Sequence, residues 1–319
     1  MKMRENISRK GLTAAFVMIS AAGAIIGALI GTVPNLPWPL TLFSHFPHYY
    51  SLILTLGAVF LISLKHHKQA AFCAVLGLWN FGIVGVDLAR SKTHAPEGPR
   101  LKLIQANLLT ANPQQEKVED WLLAQDADIL VLMEVDERWW KSLDRVATRY
   151  PHGRRMLRSD NFGIALLSRL PLEDARLVDV GESGIPSIRA RLSFAEKPLT
   201  ILATHPLPPT SEEYRRRRNQ QLVGAAKSAR THQEEGEFIL IGDLNVTPWS
   251  SPFKQLLRES GLHDSRAGFG FQASWPRRLP LFLPLDHTLL SKGLTAVDRQ
   301  LGDYNGSDHR PVVILVGPS

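Results

Sequence analysis

The chain has 319 residues, 44% of them hydrophobic, and a formal net charge of +7 at pH 7. This length allows one large domain or two smaller ones, each with a sizeable core. The single cysteine, Cys73, excludes an intrachain disulfide framework and a zinc site built from several cysteines.

The positive charge is concentrated in the first third of the chain. Residues 1–99 contain 8 Lys and Arg against 3 Asp and Glu, whereas residues 100–319 contain 29 against 27. Because the first segment is otherwise apolar, this combination indicates attachment to a membrane better than a surface that binds a polyanion.

Three long uncharged stretches within residues 1–92 predict membrane-spanning helices near 11–33, 45–64 and 69–88. The first has 23 residues, enough to cross about 30 Å of hydrocarbon as a helix. Soluble core helices rarely lack a polar face three times in succession, so a bundle of about three transmembrane helices is expected. The alternatives are buried helices of a soluble core and, for 1–33, a cleaved signal peptide.

Lys and Arg in the short flanking segments predict the orientation of these helices. Four basic residues precede the first stretch, and Lys65 and Lys68 follow the second, whereas residues 34–44 contain none. With both basic groups in the cytoplasm, three crossings place everything after Lys92 outside it. We therefore expect a multi-pass protein of the cell (inner) membrane, with an extracytoplasmic domain after a linker at 93–99.

Residues 100–319 alternate between strand and helix patterns and form the second predicted domain. A strand at 101–106 is followed by a helix over 113–125, which Asn112 caps, and by a buried strand at Ile129–Met133. A further helix is predicted at 211–229, and further strands at 162–167, 188–194, 199–203, 238–241, 287–290 and 312–315.

Polar residues recur where the apolar strands stop. A strand end is rigidly placed and opens at one edge of a sheet, so side chains distant in sequence can meet there. A single acidic residue after a strand usually belongs to a turn or caps a helix, but several ends with matching chemistry are harder to explain in that way. Carboxylates, amides and imidazoles without a cysteine pair favour a hard ion bound through oxygen. The residues are Asn107, Glu134, His205, Asp243, Asn245, Asp286, Asp308 and His309.

Seven short motifs around these residues occur in one order along the chain. They are Gln105-Ala106-Asn107, Leu132-Met133-Glu134, the segment 162–168, Thr204-His205, Gly242-Asp243-Leu244-Asn245, Leu285-Asp286-His287 and Gly306-Ser307-Asp308-His309-Arg310-Pro311. Together they resemble the endonuclease/exonuclease/phosphatase superfamily over essentially all of 100–319. The resemblance implies a four-layer α/β/β/α sandwich of two mixed sheets and Mg²⁺-dependent hydrolysis of phosphoesters.

The resemblance also implies a metal site. Glu134 is expected to bind the ion, assisted by Asn107 and Asp308, with Mg²⁺ as the cofactor and Mn²⁺ as its substitute. Mg²⁺ prefers carboxylate and amide oxygens together with water, which leaves room for a phosphate oxygen. The ion would offset charge that builds up on the phosphoryl group.

Four further roles follow from the same resemblance. Asp243 orients or deprotonates the attacking water, and Asn245 holds the water or a phosphate oxygen. His309 contacts the phosphate, while Asp286 fixes its tautomer and favours its imidazolium form.

Three more residues are candidates with stronger competing interpretations. His205 is expected to protonate the leaving oxygen or stabilise the same charge, although Pro206 departs from the His-Leu that is usual in the family. Asn161 could bind substrate or form a turn. Arg189 lies two residues from Arg191 on a predicted strand, where it could bind substrate or pair with surface acids.

Four successive arginines at 215–218 form the only dense basic run in residues 100–319. On a helix they point to all sides and cannot form one stripe. Glu212 and Glu213 directly before them favour a solvated face with local ion pairs over attraction of DNA or anionic lipid.

The sequence therefore predicts a membrane-anchored, metal-dependent phosphoester hydrolase of phosphodiesterase, nuclease or phosphatase type. The lipid bilayer is one expected partner; the other is a substrate, either nucleic acid, a phospholipid headgroup or a small phosphoester. The loop from Gly268 to Pro284, which contains Trp275, is the expected determinant of this choice. The alternative is a binding domain on a membrane anchor that keeps the fold without catalysis. A transporter or channel is disfavoured because three short spans carry no convincing polar pathway.

Overall fold

A computed structural model describes residues 17–31, 33, 36–88, 96–276, 280–303 and 305–319 of the chain. The chain divides into two compact units. The first consists of Met1–Ala89 with Trp249–Ser251, and the second of Arg90–Pro248 with Pro252–Ser319.

The described part of the first unit is mostly helical. Small side chains of its first helix, including Ala21 and Ala24, share an apolar core with Leu54 of the third helix, and small residues of this kind allow helices to approach closely. Cys73 is free and buried in the same core, as expected for an unreactive thiol. The elements are α1 (Val17–Gly31), α2 (Trp38–Thr41), a 3₁₀ turn (Leu42–His45), α3 (Pro47–Ser63) and α4 (His67–Leu88).

The described helices do not support the transmembrane bundle that the sequence predicts at 11–33, 45–64 and 69–88. Residues 11–16 lie outside the described residues, and α3 has 17 residues where a span needs about 20. No single helix in the described part of the chain is both long and apolar enough to cross a bilayer. A bent pair, Trp38–His45 and Pro47–Ser63, reaches that length and hydropathy together, with 68° between its two parts.

The second unit consists of two mixed β-sheets with helices outside them. The strands are β1 (Leu101–Asn107), β2 (Ile129–Met133), β3 (His152–Met156), β4 (Ile164–Ser168), β5 (Asp174–Asp179), β6 (Pro186–Phe194), β7 (Lys197–Thr204), β8 (Glu237–Asp243), β9 (His263–Asp264), β10 (Asp286–Leu290), β11 (Leu294–Leu301) and β12 (Val312–Pro318). The helices are α5 (Gln115–Ala124), α6 (Glu137–Ser142), α7 (Asp144–Arg149), α8 (Glu212–His232) and α9 (Ser251–Ser260), with a 3₁₀ turn at Val180–Glu182.

The first sheet has the strand order β11-β12-β1-β2-β4-β3, and the second has the order β5-β6-β7-β8-β10-β9. In each sheet one pair is parallel, β1 with β2 and β7 with β8, and the other pairs are antiparallel. Both sheets are therefore mixed, as the resemblance implies.

Three apolar clusters join these elements into four layers. The largest lies between the two sheets and includes Met133 and Ile201. A second packs α5, α6 and α7 against the outer face of the first sheet, with Trp139 fully buried. A third packs α8 and α9 against the outer face of the second sheet. This arrangement confirms the predicted four-layer α/β/β/α sandwich.

The sequence missed several short or polar elements, namely β3, β5, β9, β11, α6, α7 and α9. All five residues of β3 are exposed, so this strand lacks the apolar pattern by which a buried strand is detected. The predicted helix cap at Asn112 is wrong. α5 begins at Gln115, and the Oδ1 atom of Asn112 instead accepts the N–H of Gln114 (2.9 Å), which forms a turn before the helix.

Strand register brings residues of the second sheet to one edge. Asp243 ends β8 and pairs directly with Asp286, which begins the antiparallel β10. β7 runs parallel to β8, so His205 follows β7 at the same edge. A Cβ atom added to Gly242 would lie 1.8 Å from the carbonyl oxygen of Thr204, so the close approach of these two strands requires glycine there.

Candidate active site

In the first sheet, Asn107 ends β1 and Glu134 directly follows β2. The Nδ2 atom of Asn107 donates to Glu134 Oε1 (2.9 Å) and lies 3.3 Å from Asp243 Oδ2 of the second sheet. The backbone N–H of Thr110 donates to Glu134 Oε2 (3.0 Å). One buried amide therefore connects two carboxylates that come from different sheets.

Asp243 is the centre of the site. It is 1% exposed, and its Oδ2 atom lies 3.5 Å from Nε2 of His205 and 3.5 Å from Nε2 of His309. Burial alone would raise the pKa of Asp243, but the positive charge of His309 and the contact with His205 outweigh it and lower this pKa to about 2. Asp243 is therefore a carboxylate at neutral pH.

His309 lies between two carboxylates. Its Nδ1 atom is 2.8 Å from Asp286 Oδ2, and its Nε2 atom faces Asp243. Burial alone would lower the pKa of His309, but Asp286 and Asp243 raise it to about 10. The side chain is therefore an imidazolium at neutral pH, as the sequence predicts.

His205 is buried beside Asp243, and its ring lies 5.5 Å from that of Phe162 between centroids. Its Nδ1 atom is buried and has no hydrogen-bond partner among the described residues. His205 therefore contributes an unpaired buried polar atom to the cluster.

Asn245 and Asp308 lie next to these residues in the chain. The backbone N–H of Asn245 donates to Asp243 Oδ1 (3.0 Å), and its Nδ2 atom donates to the carbonyl of Pro206 (2.9 Å). The side-chain oxygen of Asn245 can accept from a water, and the second hydrogen of its Nδ2 group is left to donate to a phosphate oxygen. Asp308 is half-buried, and its Oδ2 atom accepts the indole N–H of Trp275 (3.0 Å).

This contact brings part of the predicted specificity loop to the site. The Trp275 ring lies 6.3 Å from that of His309 between centroids. Residues 277–279 of the same loop lie outside the described residues.

Asn161 and Arg189 have no contact with the cluster that the structure records. Asn161 is exposed with φ of 68°, next to Phe162, and such a left-handed conformation is common for Asn in turns. Arg189 is half-buried on β6 and lines a groove with Asn219 and Lys227 of α8, and the groove lining includes none of the cluster residues. Substrate binding by these two residues stays a prediction.

Two supporting residues were not recognised in the sequence. Gln105 is fully buried in β1, and its Nε2 atom donates to Asp286 Oδ1 (3.1 Å) across the space between the sheets. Arg299 of β11 is buried and donates through Nη2 to the backbone carbonyl of Asp286 (3.1 Å). A polar residue inside an apolar strand was the available signal for Gln105.

The residues present fit a hard divalent cation. Glu134 and Asp243 approach the same amide nitrogen, and two carboxylates so placed are stabilised by a cation. Asp243, Asp286 and His309 also offer possible ligand atoms within 4.8 Å of one another. Glu134 and Asn107 offer carboxylate and amide oxygens, the ligands that Mg²⁺ prefers, so we place the candidate metal site there rather than at His309.

Comparisons with known proteins show the family and the fold to which the chain is similar. The inositol phosphosphingolipids phospholipase C of Saccharomyces cerevisiae is 28% identical in an alignment of 164 positions, which covers 44% of this chain and 34% of the yeast protein. The chain thus spans about a third of the length of that relative.

Two solved structures share the fold. The structure of D. rerio TDP2 complexed with a single-strand DNA product matches this chain with a TM-score of 0.57 at 14% identity. The match covers 69% of this chain and 100% of the TDP2 chain. Sphingomyelinase C from Streptomyces griseocarneus has a TM-score of 0.50 at 18% identity, covering 68% of this chain and 99% of its own. Residues 104–309 match the Endonuclease/Exonuclease/phosphatase family, and the chain therefore belongs to that family of phosphoester hydrolases.

Proposed function

We propose that this protein hydrolyses phosphoesters by metal-assisted attack of water on phosphorus. The observation that carries the proposal is a single buried carboxylate, Asp243, in contact with two imidazoles and with the amide that also holds Glu134. Strongly shifted pKa values with specific charged partners are typical of catalytic sites.

Asp243 and His309 have complementary roles in this proposal. With a pKa of about 2, Asp243 is a weak base, so it accepts a hydrogen bond from the attacking water, orients it, and takes its proton only as the oxygen–phosphorus bond forms and the bond to the leaving oxygen breaks. His309 presents a positive charge to the phosphoryl oxygens, on which negative charge increases in the transition state. Asp286 holds the ring through Nδ1.

His205 and the metal would complete the reaction. The imidazole of His205 lies beside Asp243, where it would protonate the leaving oxygen or stabilise its charge. A divalent cation held by Glu134, with Asn107 and Asp308, would polarise the phosphoryl oxygen as a Lewis acid.

We also propose that the first unit attaches the protein to a bilayer, with the second unit outside the cytoplasm. Its helices expose large apolar side chains, among them Ile19 (72%), Leu78 (69%) and Trp79 (61%), and soluble surfaces rarely expose such groups together. The basic flanks at Lys65 and Lys68 support the orientation. A topology reporter fused after Ser319 tests it, and reporter activity in the cytoplasm would contradict it.

The substrate proposed first is the phosphodiester of a phospholipid headgroup. A bilayer anchor would hold the site near such lipids, and the yeast relative is a phospholipase C for phosphosphingolipids by name. Nucleic acid is the second candidate, because the fold is shared with TDP2 complexed with a DNA product.

The test is hydrolysis by the purified full chain in detergent. Bis(4-nitrophenyl) phosphate, sphingolipid vesicles, single-stranded DNA, RNA and inositol phosphates would be offered with Mg²⁺ or Mn²⁺, with EDTA as the metal-free control. We expect turnover that EDTA abolishes, that added Mg²⁺ restores, and that Asp243→Asn removes. Failure to hydrolyse any of these substrates would favour the binding domain without catalysis.

A further inference from the structure

Arg218 differs from the other members of the arginine run on α8. Arg215 forms an ion pair with Glu212, Arg216 is exposed, and Arg217 donates to a backbone carbonyl. These contacts confirm that the run forms local pairs rather than one basic stripe. Arg218 alone among the four is buried, with 2% of its surface exposed.

The guanidinium of Arg218 has backbone and amide partners. Its Nη1 atom donates to the carbonyl of Asn245 (2.9 Å), and its Nε atom donates to Asn219 Oδ1 (3.1 Å). Within the described part of the chain, no carboxylate forms an ion pair with it, whereas the equally buried Arg266 lies 2.6 Å from Asp264 Oδ2. Burial, and secondly a neighbouring arginine, lower the pKa of Arg218 to about 10.

Burying a guanidinium without a carboxylate is unfavourable, because its hydration is lost and only partly replaced. A well-packed apolar residue would give α8 more stability at this position. The burial of Arg218 is therefore better explained by the group that it holds than by stability.

That group, Asn245, connects two parts of the active site. Its φ is 50°, a left-handed conformation that needs support from its surroundings. Its backbone N–H donates to Asp243 Oδ1 (3.0 Å), and its side chain donates to Pro206 O (2.9 Å), next to His205. The contact from Arg218 fixes the remaining polar group of the Asn245 backbone, its carbonyl.

We infer that Arg218 is a positioning residue, which holds Asn245 and thereby fixes Asp243 and the turn at His205 for the reaction. The inference rests on the proposed function for its kinetic consequence. Its structural consequence, the fixed backbone at residues 243–247, stands independently of that function.

The test compares Arg218→Met and Arg218→Lys with Arg216→Met, which removes an exposed arginine from the same helix. The full chain in detergent is assayed for kcat and KM with bis(4-nitrophenyl) phosphate and Mg²⁺. For Arg218→Met we expect kcat to fall by about 10- to 100-fold with KM changed less than about threefold, because misplaced groups slow chemistry more than they weaken binding. Arg218→Lys keeps the charge and should recover part of the rate, and Arg216→Met should match the wild type.

Hydrogen exchange of the peptide containing 243–247 provides a second measurement. The amide hydrogens of Leu244 and Asn245, bonded to Leu285 O and Asp243 Oδ1, should exchange faster in Arg218→Met and not in Arg216→Met. An active wild type with an unchanged kcat in Arg218→Met would overturn the inference and leave the proposed function intact. If the wild type is inactive, the proposed function fails, and hydrogen exchange alone tests the inference. Faster exchange of residues 243–247 in Arg218→Met than in the wild type then supports the positioning role of Arg218, and equal exchange rates overturn it. If Arg218→Met does not fold, Arg218→Lys is judged by the same two measurements.

Discussion

His287 and His309 are both buried, and each directly follows an aspartate in the sequence, yet at neutral pH the first is uncharged and the second is positively charged. His309 lies between Asp286 and Asp243, which raise its pKa to about 10. The pKa of His287 is lowered to about 4, first by burial; Arg266 and Arg299 add to this, and Asp264 only partly opposes it. Its Nε2 atom donates to the carbonyl of Val246 (2.8 Å).

The comparison shows that partners, rather than burial or local sequence, decide the charge of a histidine. An imidazole that donates to a backbone carbonyl remains neutral and supports packing, here against Phe253. An imidazole between two carboxylates keeps its proton and can act on an anion. Four predictions follow from this contrast, each assayed on the full chain in detergent.

The largest effect is expected from the same substitution at the two histidines. His309→Gln should reduce kcat/KM for bis(4-nitrophenyl) phosphate by about 10³-fold, because it removes a charge that stabilises the transition state. His287→Gln keeps a donor for Val246 and should change the rate by less than about threefold. Equal losses in the two variants, with both folded by circular dichroism, would contradict the distinction.

The stability of the protein should decrease at acidic pH because His287 is buried in its neutral form. The folded pKa of His287 is about 4, below its ordinary value of 6.5, so the unfolded chain binds this proton first as the pH falls. Neutral His287 therefore makes its full contribution to the free energy of unfolding above pH 6.5. As the pH falls toward 4, up to about 3 kcal/mol of that free energy is lost. Urea unfolding followed by tryptophan fluorescence at pH 7 and 4.5 measures this loss. His287→Gln should show a smaller difference between the two pH values, and an identical difference would exclude His287 as its source.

Asp286 should affect the rate more than the fold. Asp286→Asn removes the carboxylate that orients His309, and we expect kcat to fall by about 10- to 100-fold while the thermal midpoint changes by only a few degrees. Asp298→Asn, at an exposed position on β11, is the control and should leave both unchanged. A large fall in the midpoint without a fall in the rate of folded enzyme would assign Asp286 to structure instead.

The site was predictable from the sequence where a polar residue follows a long apolar run. Asp243 at the end of β8 and Glu134 after β2 have this pattern, and both carboxylates meet at the amide of Asn107. Gln105 and Arg299 were missed because their partner, Asp286, lies in the second sheet, whereas they belong to strands of the first, and local patterns do not encode contacts between sheets. The different charges of His287 and His309 could not be predicted either, because they depend on partners that are distant in the sequence.

The resemblance to a known family predicted the four-layer sandwich, but the sequence did not predict its exposed strands. Strands such as β3 depend on their neighbours for pairing and carry little apolar signal. In the first unit, by contrast, the apolar signal is strong. Hydropathy located the described helices within a few residues, but in the described part of the chain no single helix is both long and apolar enough to span a bilayer.

The smallest effect is expected at the metal site, where it separates the metal-binding side of the cluster from the histidine side. Glu134→Gln keeps the shape and one oxygen of the side chain but loses its charge, so the Mg²⁺ concentration for half-maximal rate should rise by about 10-fold. At saturating Mg²⁺ the rate should recover most of its wild-type value. Glu137→Gln, exposed on α6, should match the wild type, and Asp286→Asn should keep the wild-type Mg²⁺ requirement despite its slower turnover. If Asp286→Asn raised the Mg²⁺ requirement and Glu134→Gln did not, the ion would belong beside His309, and the assignment of that side chain as a permanent imidazolium would be wrong.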